Sequence, residues 1–212
     1  PIVMPAGALV GAIYLWSQGG TLWAAWLTAI TILPALFLIR ATSPRDFSLS
    51  WVLQAGGAIW LGLGFGALGA LRALDPVYGF WWLVFLFANL WTGDTAAYLV
   101  GRRLGRRPLA PSISPKKTVA GAVGQIIMSG VVGSVFALVG WLPVSKALLI
   151  TSALVIGVVG QVGDLFESAL KRIAGVKDSS AIIPGHGGVL DRFDSTLFAA
   201  PTLYVIVSLW PD

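Results

Sequence analysis

Apolar residues fall in blocks of roughly 15–25 positions separated by short polar connections, and about 20 apolar residues carry a helix across a bilayer. The blocks predict helical spans over 2–16, 22–39, 51–71, 77–100, 119–142, 147–170 and 196–210. In contact with lipid each must be helical, because an unpaired backbone group in hydrocarbon costs several kcal/mol. The first and last blocks are short for a full crossing and read as tilted neighbours, trimmed ends or partly re-entrant segments. Block 2–16 lacks the basic start of a signal peptide, and six further blocks follow it, so it reads as a span. Pro34 and Pro201 lie inside blocks, where each predicts a kink that neighbouring helices tolerate. The chain thus reads as an all-α, polytopic integral membrane protein: a single transmembrane domain over residues 1–212 with about seven helices. It begins at Pro1 rather than Met, so truncation at the N-terminus is expected and the number of spans is a minimum.

Composition sharpens this. Of the 212 residues 57% are apolar and only 11% charged, and mean hydropathy is +0.84. A soluble domain carries about 25% charged residues, so a soluble globule is excluded. The absence of cysteine removes disulfide and thiolate chemistry. Gly62, Gly64 and Gly66 have no preceding strand, so they read as small residues at helix contacts rather than a dinucleotide loop. The ten tryptophans, with Trp51, Trp81, Trp82, Trp141 and Trp210 near span ends, fit interfacial belts.

Charge gives orientation. Connections after the second, fourth and sixth blocks hold Arg40 and Arg45; Arg102, Arg103, Arg106, Arg107, Lys116 and Lys117; and Lys171, Arg172, Lys177 and Arg192. Those are twelve of fourteen basic residues, against Arg72 and Lys146 on the other side. Basic residues are retained in cytoplasmic loops, so the polar face is expected to be cytoplasmic. The net charge of +5 suits an anionic inner leaflet, and no recognition module accompanies it, so no nucleic-acid partner is expected.

Acidic residues at membrane depth are costly and tend to be functional; Asp94, Asp164 and Glu167 qualify. Asp164, Glu167, Ser168 and Lys171 recur at i, i+3, i+4 and i+7, one helical face running from carboxylate to cation. Then come Arg172, Lys177-Asp178, Pro184-Gly185-His186-Gly187-Gly188 and Asp191-Arg192-Phe193-Asp194. Carboxylates hold hard divalent cations, Lys and Arg neutralise phosphate oxygens, and glycines let backbone amides approach an anion. The stretch therefore describes a metal-assisted phosphate site. A phosphate monoester has a second pKa near 6 and needs no general base, so His186 is assigned to hydrogen-bonding phosphate or ordering the turn. The connection from Arg102 to Thr118, ending Ser114-Pro115-Lys116-Lys117-Thr118, lacks the glycines of a P-loop; its basic residues either grip nucleotide phosphates or enforce topology.

The 27 residues from Ser168 to Asp194 resemble the signature of the phosphatidate cytidylyltransferases, or CDP-diacylglycerol synthases. Gly163-Asp164-Leu165-Phe166-Glu167-Ser168, Asp94-Thr95-Ala96-Ala97-Tyr98 and Ser114-Pro115-Lys116-Lys117-Thr118 extend the similarity over roughly residues 80 to 212. The resemblance implies transfer of a cytidylyl group from CTP to phosphatidate at a bacterial inner membrane, with the active site facing the cytoplasm. It further implies Mg²⁺ on Asp164 and Asp191, with a potassium ion beside it, and a homodimer is expected. Lys171, Arg172, Lys177 and Arg192 would offset phosphate charge, and Asp178 and Asp194 would orient those cations or bind metal through water. Ser114, Lys116, Lys117 and Thr118 would approach the triphosphate. Asp94, Ser168, Gly187 and Gly188 complete the substrate-binding set, and His186 joins the catalytic one. The rivals are another CTP-using lipid enzyme, such as a polyprenol kinase, and a secondary transporter of an anionic substrate. The kinase should lack the complete signature; the transporter needs a midplane site between repeated halves, and no internal repeat is found.

Overall fold

The computed structural model describes residues 44–180 and 188–209. The expected spans 2–16 and 22–39, with Pro34, lie outside these residues, as do His186 and Gly187 of the signature. Backbone contacts divide the chain into two units, Pro1–Ala70 and Leu71–Asp212. In the first, helix α1 (Pro44–Ala73) starts at a proline, the residue best tolerated in a first helical turn because its missing N–H is not needed there.

The second unit holds α2 (Tyr78–Leu104), the strands β1 (Pro108–Ala110) and β2 (Ser114–Thr118), then α3 (Val119–Val139), α4 (Lys146–Ile173), the single turn α5 (Leu190–Phe193) and α6 (Thr196–Leu209). Among the described residues α2, α3 and α4 are long and apolar enough to cross a membrane. Each agrees with its hydrophobic block to within four residues at either end. Among the described residues the last block forms a helix of 14 residues, with Pro201 inside it.

Boundaries follow local chemistry. Asp75 Oδ1 accepts from the N–H groups of Val77 and Tyr78 at 2.7 and 2.8 Å, tying down the start of α2. Thr118 caps α3 by accepting from Gly121 N at 3.1 Å, and Ser145 caps α4 by accepting from Leu148 N at 3.1 Å. Gly140 ends α3 with φ +75°, the left-handed conformation that glycine adopts without a Cβ clash.

The all-α expectation needs one correction. The basic connection after α2 is not an irregular loop, because β1 and β2 pair antiparallel across it, with Pro108 opposite Thr118 and Ala110 opposite Ser114. Pro108, Pro111 and Pro115 deny this stretch a helix, and Ile113 N closes the turn onto Ala110 O at 3.2 Å.

Helix α3 packs against both α2 and α4, and α6 covers α4. Lipid offers no hydrophobic drive between helices, so close contact depends on small residues. A Cβ on Gly133 would lie 2.8 Å from Ile150 Cα, one on Gly124 2.9 Å from Val100, and one on Gly160 2.7 Å from Leu90. Buried Phe85, Leu86, Leu90, Phe136, Leu149, Ile156 and Leu203 fill the remaining interior. One polar link crosses it. Ser129 Oγ donates to Asn89 Oδ1 at 2.8 Å, and Asn89 Nδ2 donates to Ala153 O at 3.1 Å, so the amide ties three helices together.

Candidate active site

Six segments converge at the polar end of α2, with Leu109 of β1 and Gly121, Ala122 and Gln125 of α3 among the lining residues. Helix α2 contributes Trp91, Asp94, Tyr98 and Arg102; β2 contributes Lys116, Lys117 and Thr118; α4 contributes Gln161 and Asp164; and the stretch after Gly188 contributes Asp191, Arg192 and Asp194. Together they line one cavity of about 600 Å³. The approach of the last segment to α4 depends on Gly163, where a Cβ would stand 2.8 Å from the Asp194 carbonyl oxygen.

Of the residues singled out from the sequence, Asp94, Lys116, Lys117, Thr118, Asp164, Asp191, Arg192 and Asp194 line this cavity. Ser114, Ser168, Lys171, Arg172, Lys177, Asp178 and Gly188 are described but are not part of its wall. The division has a structural reason. Asp164 and Lys171 share a helical face, but Asp164 forms its ion pair with Lys117 of the hairpin, each side chain 29% exposed. Lys171 instead lies between Glu167 Oε2 at 2.5 Å and Asp191 Oδ1 at 2.6 Å.

Asp191 is the hub of the signature loop. Its Oδ1 accepts from Lys171 Nζ, and its Oδ2 accepts from Ser179 N at 2.9 Å, Ser179 Oγ at 2.7 Å and Gly188 N at 2.7 Å. Burial alone would raise its pKa, but the Lys171 ammonium and the Ser179 and Gly188 donors outweigh that and hold the carboxyl well below the usual range. One carboxylate thereby fastens residues 171, 179 and 188 together. Arg172 makes a second fastening: Nε donates to Ile113 O at 3.2 Å and Nη1 to Val176 O at 3.5 Å, joining the hairpin turn to the end of α4.

Asp194 behaves oppositely. Burial, and then the charge of Asp164, push its pKa up to about 6, against the opposing effect of Ser195, whose N–H and hydroxyl donate to Oδ1 at 2.6 and 3.1 Å. The cavity wall thus mixes four carboxylates, Asp94, Asp164, Asp191 and Asp194, with three cations, Lys116, Lys117 and Arg192. Among the described residues no three His, Cys, Asp or Glu side chains converge closely enough to form a ready-made metal site. The donor chemistry nonetheless fits Mg²⁺, which binds through one or two carboxylates and completes its shell with substrate phosphates and water.

Sequence reasoning missed Trp91, Gln125 and Gln161 in the cavity wall, and left Arg102, like the other basic residues of its connection, between gripping nucleotide phosphates and enforcing topology. A signal existed for Gln161: it precedes Asp164 by three positions in an apolar block and so shares its face. It donates to Ala122 O at 3.1 Å, holding α4 against α3 beneath the cavity.

Comparison with known proteins gives the family. The model of a family described as "Cytidylyltransferase family" matches residues 2–210. The chain is 46% identical over 153 residues to a phosphatidate cytidylyltransferase of Bacillus subtilis (strain 168), an alignment covering 72% of this chain and 56% of that protein. It is 42% identical over 198 residues to one from Synechocystis sp., covering 82% of this chain and 66% of the relative. A third, from Brucella suis biovar 1, is 41% identical over 165 residues, covering 74% of this chain and 58% of the relative. The chain therefore spans just over half to about two thirds of the length of the curated relatives it matches.

Proposed function

The chain belongs to the cytidylyltransferase family, and from that premise we propose that it transfers a cytidylyl group from CTP to phosphatidate, giving CDP-diacylglycerol and pyrophosphate. The observation that carries this reading is the cavity itself. It brings Lys116, Lys117 and Arg192 into one wall with four aspartates, on helices long and apolar enough to cross a membrane.

In the proposed reaction an oxygen of the lipid phosphate attacks the α-phosphorus of CTP, and the bond to the β-phosphate oxygen breaks, releasing pyrophosphate. Catalysis of this kind is mostly positioning and charge neutralisation. Lys116, Lys117 and Arg192 are assigned to the negative charge on the phosphate oxygens. Asp164 is assigned to hold Mg²⁺ when CTP is present, with Lys117 transferring from Asp164 to the phosphates. Asp191 serves first as the fastening of the signature loop; as a second carboxylate toward the metal it would give up its contact with Lys171. The magnesium ion supplies Lewis-acid polarisation of the phosphate oxygens. Asp194 and Asp94 keep the cavity acidic beside that position.

For topology we propose about seven helices, with the cavity facing the cytoplasm of a bacterial inner membrane. The twelve-to-two distribution of basic residues supports it. The test of function is product identity. Incubating the purified protein with CTP, magnesium and phosphatidate in mixed micelles should yield CDP-diacylglycerol and pyrophosphate in equal amounts. Formation of CDP would instead identify a lipid kinase, and no product would sink the reading.

A further inference from the structure

We propose that Arg102, aimed by Tyr98, is the subsite that grips the phosphomonoester headgroup of the lipid substrate; this rests on the reading given under Proposed function. Trp91, Asp94, Tyr98 and Arg102 follow one another at i, i+3, i+7 and i+11 and line the same cavity, so they form a single stripe along α2. The stripe begins at Trp91, passes the carboxylate of Asp94 and the ring of Tyr98, and ends on the cation of Arg102. Trp91 and Tyr98 are 64% and 62% exposed, and Arg102 is exposed in the last turn of the helix.

An exposed tryptophan and tyrosine on a membrane-crossing helix place large amphipathic rings against lipid. From Trp91 to Arg102 is eleven residues, about 16 Å along the helix, so acyl chains lying on the aromatic part would bring a headgroup phosphate to the guanidinium. Arg102 Nη1 donates to Tyr98 OH at 3.3 Å, which directs the side chain along this stripe. A guanidinium presents five donors in a rigid fork that matches phosphate, and a phosphomonoester carries roughly −1.5 to −2 charge at neutral pH.

Placement separates this cation from those assigned to the nucleotide. Lys116 and Lys117 stand on β2, beyond the helix ends, where a water-soluble triphosphate arrives. Arg102 belongs to a helix long and apolar enough to cross a membrane. The proposal thus gives CTP the hairpin side of the cavity and the lipid the α2 side, which carries Asp94 as well as Arg102.

The test compares wild type, Arg102→Gln and Tyr98→Phe by KM for phosphatidate, by KM for CTP, and by equilibrium binding of phosphatidate and of phosphatidylcholine without CTP. Arg102→Gln should raise the phosphatidate KM and weaken phosphatidate binding about tenfold, the loss of one charge-assisted contact. CTP KM and phosphatidylcholine binding should stay within about twofold. Tyr98→Phe keeps the charge and loses only the aim, so its effect should be smaller and in the same direction. Unchanged phosphatidate binding in Arg102→Gln would overturn the assignment. So would an equal rise in CTP KM, which would put Arg102 on the triphosphate. If the wild type makes no CDP-diacylglycerol, the functional reading falls, and the binding comparison still decides whether Arg102 holds a lipid phosphomonoester.

Discussion

Two lysines, Lys117 and Lys171, each pair with an aspartate assigned to the same chemistry, and their surroundings differ in a way the motif does not reveal. Lys117 meets Asp164 in the cavity wall, with both side chains 29% exposed. An ion pair that accessible gains little net stability and exchanges readily for substrate phosphate. Lys171 is 16% exposed and lies between Asp191 and a Glu167 side chain only 1% exposed. Asp191 in turn holds Ser179 and Gly188. The first pair is accessible to a substrate in the cavity, as the proposed reaction requires, and the second holds the loop in shape. Residues that the family resemblance assigns to one chemistry can therefore differ in how far they are built into the scaffold.

The largest effect that would break this comparison is on stability. Lys171→Met leaves Glu167 as an unpaired buried carboxylate and removes a donor from Asp191, and should destabilise by about 3–5 kcal/mol, read from thermal unfolding in detergent. Lys117→Met should change stability by less than about 1 kcal/mol while lowering turnover roughly 10²–10³-fold. Equal unfolding temperatures for the two variants would erase the distinction. A sharper version adds Glu167→Gln to Lys171→Met, removing both buried charges. The double variant should recover about half or more of the lost stability and little of the activity, because Asp191 still lacks its cation.

Smaller effects are expected at the fastenings. Arg172→Gln frees the hairpin turn from the end of α4, at about 0.5–1.5 kcal/mol for the lost hydrogen bonds. Amide hydrogen exchange should accelerate over Ile113 to Lys117 and not in α3. Asp194 gives a pH signature. Its pKa rises from an ordinary 3.8 to about 6 on folding, so the folded state binds that proton more tightly than the unfolded state. Stability from this group is present below about pH 4 and lost as pH climbs through about 6. Asp194→Asn should consequently stabilise the protein on the order of 1 kcal/mol at pH 7.5 and show no such gain at pH 4, measured by thermal unfolding at both values.

The long helices were legible because hydrophobic runs report membrane crossing directly: α2, α3 and α4 fall on their blocks. The hairpin was not, since β1 is only Pro-Leu-Ala and the five residues of β2 are mostly polar, with none of the alternation that marks a strand. Asp94, Asp164, Asp191 and Asp194 were legible as costly charges near membrane depth and as parts of the signature. Their cations were not fully so, because i, i+4 spacing identifies partners only within one helix. It correctly put Lys171 beside Glu167, whereas Lys117 reaches Asp164 from a different segment. Arg172 joining Ile113 is likewise a contact across 59 positions that no local pattern carries.

The claim that Asp164 works on substrate rather than holding the fold together is tested most directly by Asp164→Asn, which keeps the size of the side chain and removes its charge. Pyrophosphate release with CTP and phosphatidate should fall at least about 100-fold across the magnesium range that saturates the wild type, with thermal unfolding within about 1 kcal/mol of wild type. Turnover near wild type in the folded variant, or activity restored by adding Lys117→Met to remove the partner charge, would contradict it.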